Sequence, residues 1–281
     1  MNGRSCIVTG ANAGIGYETT LGLARLGAHV VMVCRNAQKA ESAVASIRKK
    51  SGNDRVEVAL ADLSVQASVR DLAAELLERL PSIHVLVNNA GLIVAGREET
   101  SDGIETTFAV NHLAGFLLTD LLLERLTESA PARIVNVSSA AHQGGHIDFD
   151  DLEGRRKYSM WGAYGQSKLA NVLFTYELGR RLEGTGVTAN ALHPGFVRSK
   201  FAHNNGLLAK GLMLVASPVA ISPKRGARTS VYLASSPEVE GVSGRYFAAE
   251  KPARSNAESH DAETARRLWE VSEELTGSRT G

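Results

Sequence analysis

The sequence predicts a single α/β domain: a doubly wound parallel sheet of seven strands with helices on both faces. Two observations predict this class. From about residue 4 to residue 140, short runs rich in Val, Ile, Leu and Ala alternate with helical segments, which is the pattern of repeated strand-helix-strand units. The apolar runs also lack a polar and apolar alternation, so helices are expected to cover both faces of every strand.

Seven segments are predicted as strands because each is a short run rich in β-branched and other apolar residues. They are Ser5 to Thr9, His29 to Cys34, Val56 to Leu60, His84 to Val87, Arg133 to Val137, Val187 to Leu192 and a short run around Arg245 to Ala248. Parallel strands need a crossover segment between them, and a helix usually supplies it.

The helices are predicted from apolar residues that recur every three or four positions, as Ile15, Thr19 and Leu23 do. The other helical segments are Ala37 to Lys50, Gln66 to Leu80, Ile104 to Leu126 and Trp161 to Leu182, and the segment Lys224 to Ser235 precedes the last strand. The C-terminal tail is polar to Asp261 and then predicts an amphipathic helix. We therefore expect a main domain at 1–250, including a substrate loop at 197–223, and a tail at 251–281 whose helix packs on it.

Composition and charge exclude several kinds of protein. The 281 residues are 43% hydrophobic and 22% charged, as in ordinary globular chains. The net charge of +1 provides no broad positive field for nucleic acid or anionic lipid. Two cysteines, Cys6 and Cys34, favour a reducing compartment and show no metal-ligand spacing. We expect a cytoplasmic protein without a metal, a signal segment or a membrane anchor.

A glycine-rich turn follows the first strand, and its sequence is Thr9-Gly10-Ala11-Asn12-Ala13-Gly14-Ile15-Gly16. Glycines allow a tight turn and a close approach of the backbone to a pyrophosphate, which the N-terminus of the next helix stabilises. The spacing is Gly-x-x-x-Gly-x-Gly, unlike the standard Gly-x-Gly-x-x-Gly fingerprint. The turn indicates a dinucleotide site, with a plain glycine-rich turn as the alternative.

The end of the second strand indicates which dinucleotide is bound. An acid there would hold the ribose 2′-hydroxyl of NAD, but the residue is Arg35, whose guanidinium suits a 2′-phosphate. Such a charge-assisted contact is worth about 1.5 to 3 kcal/mol. NADP is therefore favoured over NAD, unless Arg35 is only a solvated loop charge. Asp62 and Leu63 are expected to border the adenine, although Asp62 could equally be a helix N-cap.

Tyr164 and Lys168 lie four residues apart on a predicted helix and hence on one face of it. A tyrosine with a pKa of about 10 needs about 4 kcal/mol to reach a pKa near neutrality. A lysine ammonium and a cationic nicotinamide can supply this stabilisation. At the end of the fifth strand, Ser138 and Ser139 add hydroxyls that can polarise a carbonyl oxygen.

These motifs resemble the short-chain dehydrogenase/reductase family, whose fold is of the Rossmann type. The matching segments occur in family order: Thr9-Gly10-x-x-x-Gly14-Ile15-Gly16, Asp62-Leu63, Asn88-Asn89-Ala90-Gly91, Asn111, Ser138-Ser139, Tyr164-x-x-x-Lys168 and Pro194-Gly195. Further segments are similar to the retinol dehydrogenase branch: Cys34-Arg35-Asn36, Val110-Asn111-His112-Leu113, His193-Pro194-Gly195 and Ser243-Gly244-Arg245-Tyr246-Phe247.

The resemblance implies a catalytic tetrad of Asn111, Ser139, Tyr164 and Lys168. Tyr164 would be the general acid/base, and Lys168 would lower its pKa and hold the nicotinamide ribose. Ser139 would orient the carbonyl, and is preferred to Ser138 because the second serine of this pair usually aligns with the catalytic one. Asn111 would hold a water that links Lys168 to solvent. The implied NADP(H)-binding residues are Gly10, Asn12, Gly14, Ile15, Gly16, Arg35, Asp62, Leu63, Asn89, Ala90, Gly91, Tyr164, Lys168, Pro194, Gly195 and Val197.

The expected function is therefore that of an NADP-dependent alcohol dehydrogenase or carbonyl reductase acting on an apolar alcohol, aldehyde or ketone. The segment Val197 to Pro223 is expected to cover this substrate as a mobile lid, with a helix packed on the core as the alternative. A non-catalytic NADP(H)-sensing regulator is the alternative from another class, and the short chain disfavours an epimerase or dehydratase. The sequence leaves open the natural substrate, the acceptance of retinoids and the formation of a homo-oligomer.

Overall fold

A central sheet of eight strands organises the protein in the computed structural model, which describes residues 1–196 and 221–278. The strands are β1 Ser5–Thr9, β2 His29–Cys34, β3 Val56–Leu60, β4 Val85–Asn88, β5 Ala132–Val137, β6 Val187–His193, β7 Arg245–Ala248 and β8 Lys251–Pro252. Their order is β3-β2-β1-β4-β5-β6-β7-β8, and the first seven are parallel. All seven predicted strands are confirmed to within a residue at each end.

The eighth strand was not predicted and corrects the expected count of seven. β8 has two residues and pairs antiparallel with β7, so that Ala248 lies opposite Lys251. The turn between them, Ala249 and Glu250, has φ angles of 49° and 64°. A two-residue strand carries no periodicity that a sequence pattern could reveal. The sheet thus continues past residue 250, where the tail was expected to begin.

The described helices occupy the predicted crossovers. They are α1 Gly14–Arg25, α2 Ala37–Ser51, α3 Gln66–Arg79, α4 Thr106–Phe108, α5 Ala114–Glu128, α6 Met160–Arg181, α7 Pro223–Gly226, α8 Arg228–Ser235 and α9 Ala262–Thr276. A π-helical turn, Ala109–Leu113, joins α4 to α5, and a 3-10 helix, Ala140–Gly144, follows β5. The predicted lid at Val197 to Pro223 lies outside the described residues except for its last three positions.

Alternate residues of each strand contact opposite layers of helices. In β1, Ile7 packs in the cluster that contains residues of α3, α5 and α6, such as Leu72 and Phe116. Its neighbour Val8 packs in a second cluster with residues of α1, α2 and α8, such as Leu23. The absence of polar alternation in the strands is explained by this double coverage. The tail helix α9 joins the first layer through its buried tryptophan.

One described helical stretch, residues 106–128, is long and apolar enough to cross a membrane by length and composition alone. Its most apolar 18-residue window has a mean hydropathy of 1.3, and 72% of that window is buried inside the fold. Core helices of globular proteins have the same composition.

Side chains cap the N-termini of three of the long described helices, α2, α6 and α9. Asn36 accepts a hydrogen bond from the third residue of α2, Ser159 caps α6 in the same way, and Asp261 caps α9. Helix α1, like α3 and α5, has no such cap: its N-cap Ala13 makes no side-chain hydrogen bond, and its first turn has no acidic residue. The strand order reverses between β1 and β4 next to this end of α1, where open α/β sheets bind ligands.

Candidate active site

The glycine-rich turn between β1 and α1 requires glycine for two distinct reasons. Gly10 and Gly14 have φ angles of 65° and 57°, in the left-handed region that other residues rarely adopt. Gly16 is needed for space, since a Cβ there would lie 2.5 Å from Asn89 Nδ2 and would also meet the Gly10 carbonyl. The turn and the uncapped N–H groups of α1 therefore present bare backbone to a ligand. This arrangement fits the diphosphate of a dinucleotide.

Thr9 and Asn89 fasten this turn to the end of β4. Thr9 Oγ1 accepts hydrogen bonds from the backbone N–H groups of Asn89 and Ala90, both at 2.9 Å. Asn89 Nδ2 donates to the Thr9 carbonyl at 2.7 Å. The amide of Asn89, implied as a cofactor contact, thus also supports the turn from below. Thr9 was not among the site residues inferred from the sequence. Its position directly before Gly10, the first glycine of the motif, is the signal that could have identified it.

Asn12 and Ala11 of the turn are tied to the end of β2. Their backbone N–H groups hydrogen-bond to the Cys34 thiol, and burial raises the pKa of that thiol to about 11. Cys6 is buried as well, and burial raises its pKa to about 12. Both cysteines are free thiols within the core, where an unpaired cysteine behaves as a small apolar side chain.

Arg35 and Asp62 lie beside each other at the ends of β2 and β3. The Arg35 side chain is 70% exposed, and its Nη1 is 3.9 Å from Asp62 Oδ2. Burial acts to raise the pKa of Asp62, but hydrogen bonds from Ser64 and the charge of Arg35 hold it below its usual value. The alternative that Asp62 is a helix N-cap is wrong, because α3 begins only at Gln66. Leu63 packs partly buried against the core.

Lys168 is held inside the protein behind Tyr164. Its side chain is 3% exposed, and its Nζ donates to the Val137 carbonyl at 3.2 Å. The Nζ lies 5.8 Å from the centre of the Tyr164 ring. Burial lowers the pKa of Lys168 to about 8. A Cβ on Gly91 would lie 3.2 Å from this Nζ and 3.2 Å from Asn111 Oδ1, so the loop after β4 brings both groups together.

The two serines after β5 have different environments. Ser138 is buried, and its hydroxyl donates to the Lys168 carbonyl at 2.7 Å. Ser139 is half-buried, and its Oγ accepts from Ala141 N at 3.2 Å and hydrogen-bonds with the Tyr164 side chain. Burial raises the pKa of Tyr164, and this bond from Ser139 opposes the rise. Only the second serine therefore lies where it can share a substrate oxygen with Tyr164.

Asn111 lies in the π-helical turn and is bonded on every side. Its Oδ1 accepts from Leu92 N at 2.7 Å, and its Nδ2 donates to the Leu92 carbonyl and to Ser167 Oγ, both at 2.9 Å. Its carbonyl accepts from Asn171 Nδ2 at 2.9 Å. Asn111 thus fixes the loop that faces Lys168. Its implied role as holder of a water stays a prediction.

The segment after β6 forms one edge of the opening. Gly195 has a φ of 85°, and a Cβ on it would lie 2.9 Å from the Ile221 side chain. It follows Pro194, and the next residue, Phe196, is 54% exposed. On α6, Trp161 is 56% exposed and packs edge-on against Tyr164 with 6.4 Å between ring centres. Val197, the remaining implied cofactor residue, lies outside the described residues.

His193 is the last residue of β6 and directly precedes Pro194. Its ring stacks on Tyr246 at 5.8 Å with an angle of 8° between the planes. Burial lowers its pKa, and the neighbouring His142 lowers it further. Within the described part of the chain, its Nδ1 has no hydrogen-bond partner.

The described geometry gathers the phenol of Tyr164 and the buried ammonium of Lys168, both on α6, with the hydroxyl of Ser139 after β5, and it leaves the guanidinium of Arg35 exposed at the end of β2. A family model described as short chain dehydrogenase matches residues 4–207. The chain belongs to the short-chain dehydrogenase family. Membership makes it an oxidoreductase that uses a nicotinamide dinucleotide, and the glycine turn, the bare end of α1 and the Tyr-Lys pair fit that cofactor.

Individual relatives agree with this family assignment. The chain is 49% identical over 275 residues to "Retinol dehydrogenase 12" of Mus musculus, covering 98% of this chain and 87% of that protein. Among solved structures, an uncharacterized protein from Mycobacterium Paratuberculosis is 36% identical with a TM-score of 0.82, covering 100% of this chain and 96% of that one. The Pseudomonas aeruginosa RhlG/NADP active-site complex is 26% identical with a TM-score of 0.71, covering 88% and 94%. This short-chain dehydrogenase is therefore retinol dehydrogenase-like.

Proposed function

We propose that this short-chain dehydrogenase is an NADP(H)-dependent enzyme that interconverts an apolar alcohol and its aldehyde or ketone. The observation that carries the proposal is the contact of Tyr164 with Ser139 in front of the buried Lys168. A phenol and a hydroxyl that both reach the oxygen of a substrate carbonyl can hold it by hydrogen bonds, and the phenol can exchange a proton with it. The ammonium behind them stabilises the anionic form of the phenol.

In the reduction, Tyr164 gives its phenolic proton to the carbonyl oxygen while Ser139 donates a hydrogen bond to the same oxygen. NADP(H), held by the glycine turn and the N-terminus of α1, would supply the hydride for the reduction and accept it in the oxidation. The tyrosinate left behind is stabilised by Lys168, whose burial strengthens the interaction because little water screens it. Asn111 keeps the loop after β4 closed against Lys168 through its bonds to Leu92.

The preference for NADP(H) is proposed from Arg35. Its guanidinium is exposed at the end of β2, and within the described part of the chain its ion pair with Asp62 is long and weak, so it can turn to a phosphate at little cost. Gly10, Gly14, Ile15 and Gly16 would hold the diphosphate at the N-terminus of α1. The RhlG relative, described as an NADP complex, is consistent with this assignment.

The apolar character of the substrate is proposed from the rim of the opening. Trp161 and Phe196 are large and more than half exposed, and Trp161 touches the ring of Tyr164. Apolar side chains at a site mouth favour apolar ligands because ligand and side chain leave water together. The mouse relative named as a retinol dehydrogenase fits the same class of substrate.

A series of straight-chain aldehydes from butanal to dodecanal tests the proposal with NADPH as reductant. Each added methylene is worth about 0.8 kcal/mol, so kcat/KM should rise roughly fourfold per carbon until the pocket is full. Trp161→Ala should flatten the rise for the longer members. A flat series, or a preference for charged sugar acids, contradicts the apolar site. Tight NADPH binding without turnover of any aldehyde, ketone or alcohol would instead favour the sensing regulator.

A further inference from the structure

We propose that His142 and Asn256 are positioning residues for Ser139, so that the C-terminal segment 254–259 sets the geometry of the active site. The proposal rests on the proposed function in one respect, namely that Ser139 acts on the substrate oxygen. No sequence motif pointed to this pair, because the two residues lie 114 positions apart. The argument comes from the hydrogen bonds around the 3-10 helix Ala140–Gly144, which begins directly after Ser139.

His142 connects Ser139 to the C-terminal segment. The imidazole is 1% exposed, its Nδ1 lies 2.6 Å from the Ser139 carbonyl oxygen, and its Nε2 lies 3.2 Å from Asn256 N. A backbone N–H can only donate, so Nε2 is the acceptor and the ring proton is on Nδ1. The Nδ1–H group therefore donates to the Ser139 carbonyl. Burial lowers the pKa of His142, which keeps the ring neutral and this tautomer in place.

Asn256 holds the other end of the same short helix. Its Nδ2 lies 3.1 Å from each of three carbonyl oxygens, those of His142, Gln143 and Gly145. Its Oδ1 accepts from Glu258 N at 2.7 Å, which fixes the orientation of the amide. The two hydrogens of this amide are thus shared among three carbonyls at the end of the helix, and the His142 carbonyl also accepts from Gly145 N. Gln143 Nε2 adds a bond in the opposite direction, to the Arg254 carbonyl at 3.0 Å.

We call the hydrogen bonds of Asn256 to residues 142–145 the Asn256 clamp. The segment that it holds, directly after Ser139, packs against the helix that carries Tyr164. A Cβ on Gly145 would lie 2.5 Å from the Gly165 carbonyl oxygen, so the two backbones are in direct contact. Gly165 is the residue after Tyr164. The distance between the Ser139 and Tyr164 hydroxyls therefore depends on how firmly Asn256 holds residues 142–145 in place.

The other side of His142 packs on aromatic rings. Tyr246 of β7 lies 4.6 Å from it between ring centres, and its hydroxyl is 3.3 Å from Nδ1. An apolar ring would fill the same space, but would leave the Ser139 carbonyl and Asn256 N–H without this partner. The imidazole is needed for its two opposite hydrogen-bonding atoms.

Kinetics of NADPH oxidation with octanal test the proposal. Asn256→Ala and His142→Leu should each lower kcat roughly 10- to 100-fold, since misplacement by about 1 Å costs up to that factor, and should leave the Kd for NADPH unchanged. His142→Asn retains a donor near the Nδ1 position and should recover most of the loss. The matched control is His29→Leu, because His29 is partly exposed, pairs with Glu57 and, among the described contacts, touches neither the Ser139 segment nor residues 254–259. A normal kcat in both test variants would overturn the proposal.

A double-mutant cycle separates positioning from general support of the fold. If Asn256 acts through Ser139, then Asn256→Ala should cost almost nothing further in a Ser139→Ala background. An equal loss in both backgrounds would show a merely structural role and overturn the proposal. If Tyr164→Phe keeps full turnover, the proposed function itself fails, which is a different result from normal turnover in the Asn256 variant.

A measurement that does not depend on turnover tests the positioning role even if the proposed function fails. The ultraviolet titration of Tyr164, obtained by subtracting the matching Tyr164→Phe protein, reports its hydrogen bond from Ser139 and the charge of Lys168. Loosening Ser139 by Asn256→Ala should raise the pKa of Tyr164, because the opposing bond is weakened. The His29→Leu protein should titrate like the unmodified one. An unshifted Tyr164 in the Asn256→Ala protein would overturn the proposal.

Discussion

The two ends of the active site differ in how firmly the protein holds them. At the catalytic end, Lys168 is buried and bonded to the Val137 carbonyl, and Asn111 makes four hydrogen bonds. At the cofactor end, the side chain of Arg35 is 70% exposed, and the ion pair it makes among the described residues is a long one, 3.9 Å to Asp62. Lys168 and Asn111 are thus held in place without a ligand. The side chain of Arg35, which is proposed to select the cofactor, would become ordered only when the cofactor binds.

The difference has an energetic reason. Fixed donors and charges in a dry site need no reorganisation during the reaction, so they favour the transition state directly. Burial of Lys168 has a cost, which is seen in its lowered pKa. An exposed ion pair such as that of Arg35 and Asp62 contributes little to stability, so the arginine gives up little when it binds a phosphate instead. Substitutions at the two ends should therefore affect different measurements.

The largest effect is expected for Tyr164→Phe, which removes the proton donor from the rigid end. Turnover should fall by roughly 10² to 10⁴, the usual contribution of a general acid/base. The fold and the Kd for NADPH should stay close to those of the unmodified protein. Tyr232→Phe is the matched control, because its hydroxyl bonds only to Glu238 among the described contacts. Near-normal turnover of Tyr164→Phe on the best aldehyde would refute the role of this residue.

A second effect concerns pH and the burial of Lys168. Its pKa is about 8 in the folded protein and 10.5 as the reference value, so between these pH values the unfolded chain binds more protons. The free energy of unfolding from this group should therefore rise with pH across that window, by about 3 kcal/mol in total. Below pH 8 the cost of the buried charge is present in full.

Urea unfolding of the ligand-free protein measures this effect. The difference between the unmodified protein and Lys168→Met removes the contributions of all other groups that titrate equally in both. It should move in favour of the unmodified protein as the pH rises from 8 to 10.5. A difference that stays flat with pH would show that the lysine is solvated in solution, and the contrast between the two ends would disappear.

The sequence predicted the strands and motifs because both depend on local patterns. The seven parallel strands are continuous apolar runs, and the spacing of Tyr164 and Lys168 places them on one helical face without further information. The glycine turn was recognisable because the φ angles of Gly10 and Gly14 suit glycine.

Other features depend on contacts between distant residues and could not be predicted. β8 has two residues, and the π-helical turn at Asn111 interrupts a stretch whose apolar pattern is that of a continuous helix. In the sequence, Asp62 could be a helix N-cap. The structure shows that its carboxylate accepts from Ser64 N and that α3 begins only at Gln66. Asn256 hydrogen-bonds to residues 142–145, which are far from it in the chain. A periodic pattern in the sequence cannot predict a contact between such distant segments.

The smallest of the three effects is expected for substitutions of Arg35, at the cofactor end. Arg35→Ser removes one charge-assisted contact to the 2′-phosphate, so the preference for NADPH over NADH should fall roughly 10- to 100-fold. Arg35→Asp adds repulsion of the phosphate and offers a carboxylate to the ribose hydroxyls, so it should erode the preference further or reverse it. In both variants kcat with saturating cofactor should stay near normal, because the catalytic end is built independently of Arg35. Arg25→Asp makes the same charge change at the far end of α1 and should leave the preference intact. Equal affinity of the unmodified protein for the two cofactors would contradict the role of Arg35, and a parallel loss of kcat would show that the two ends are coupled.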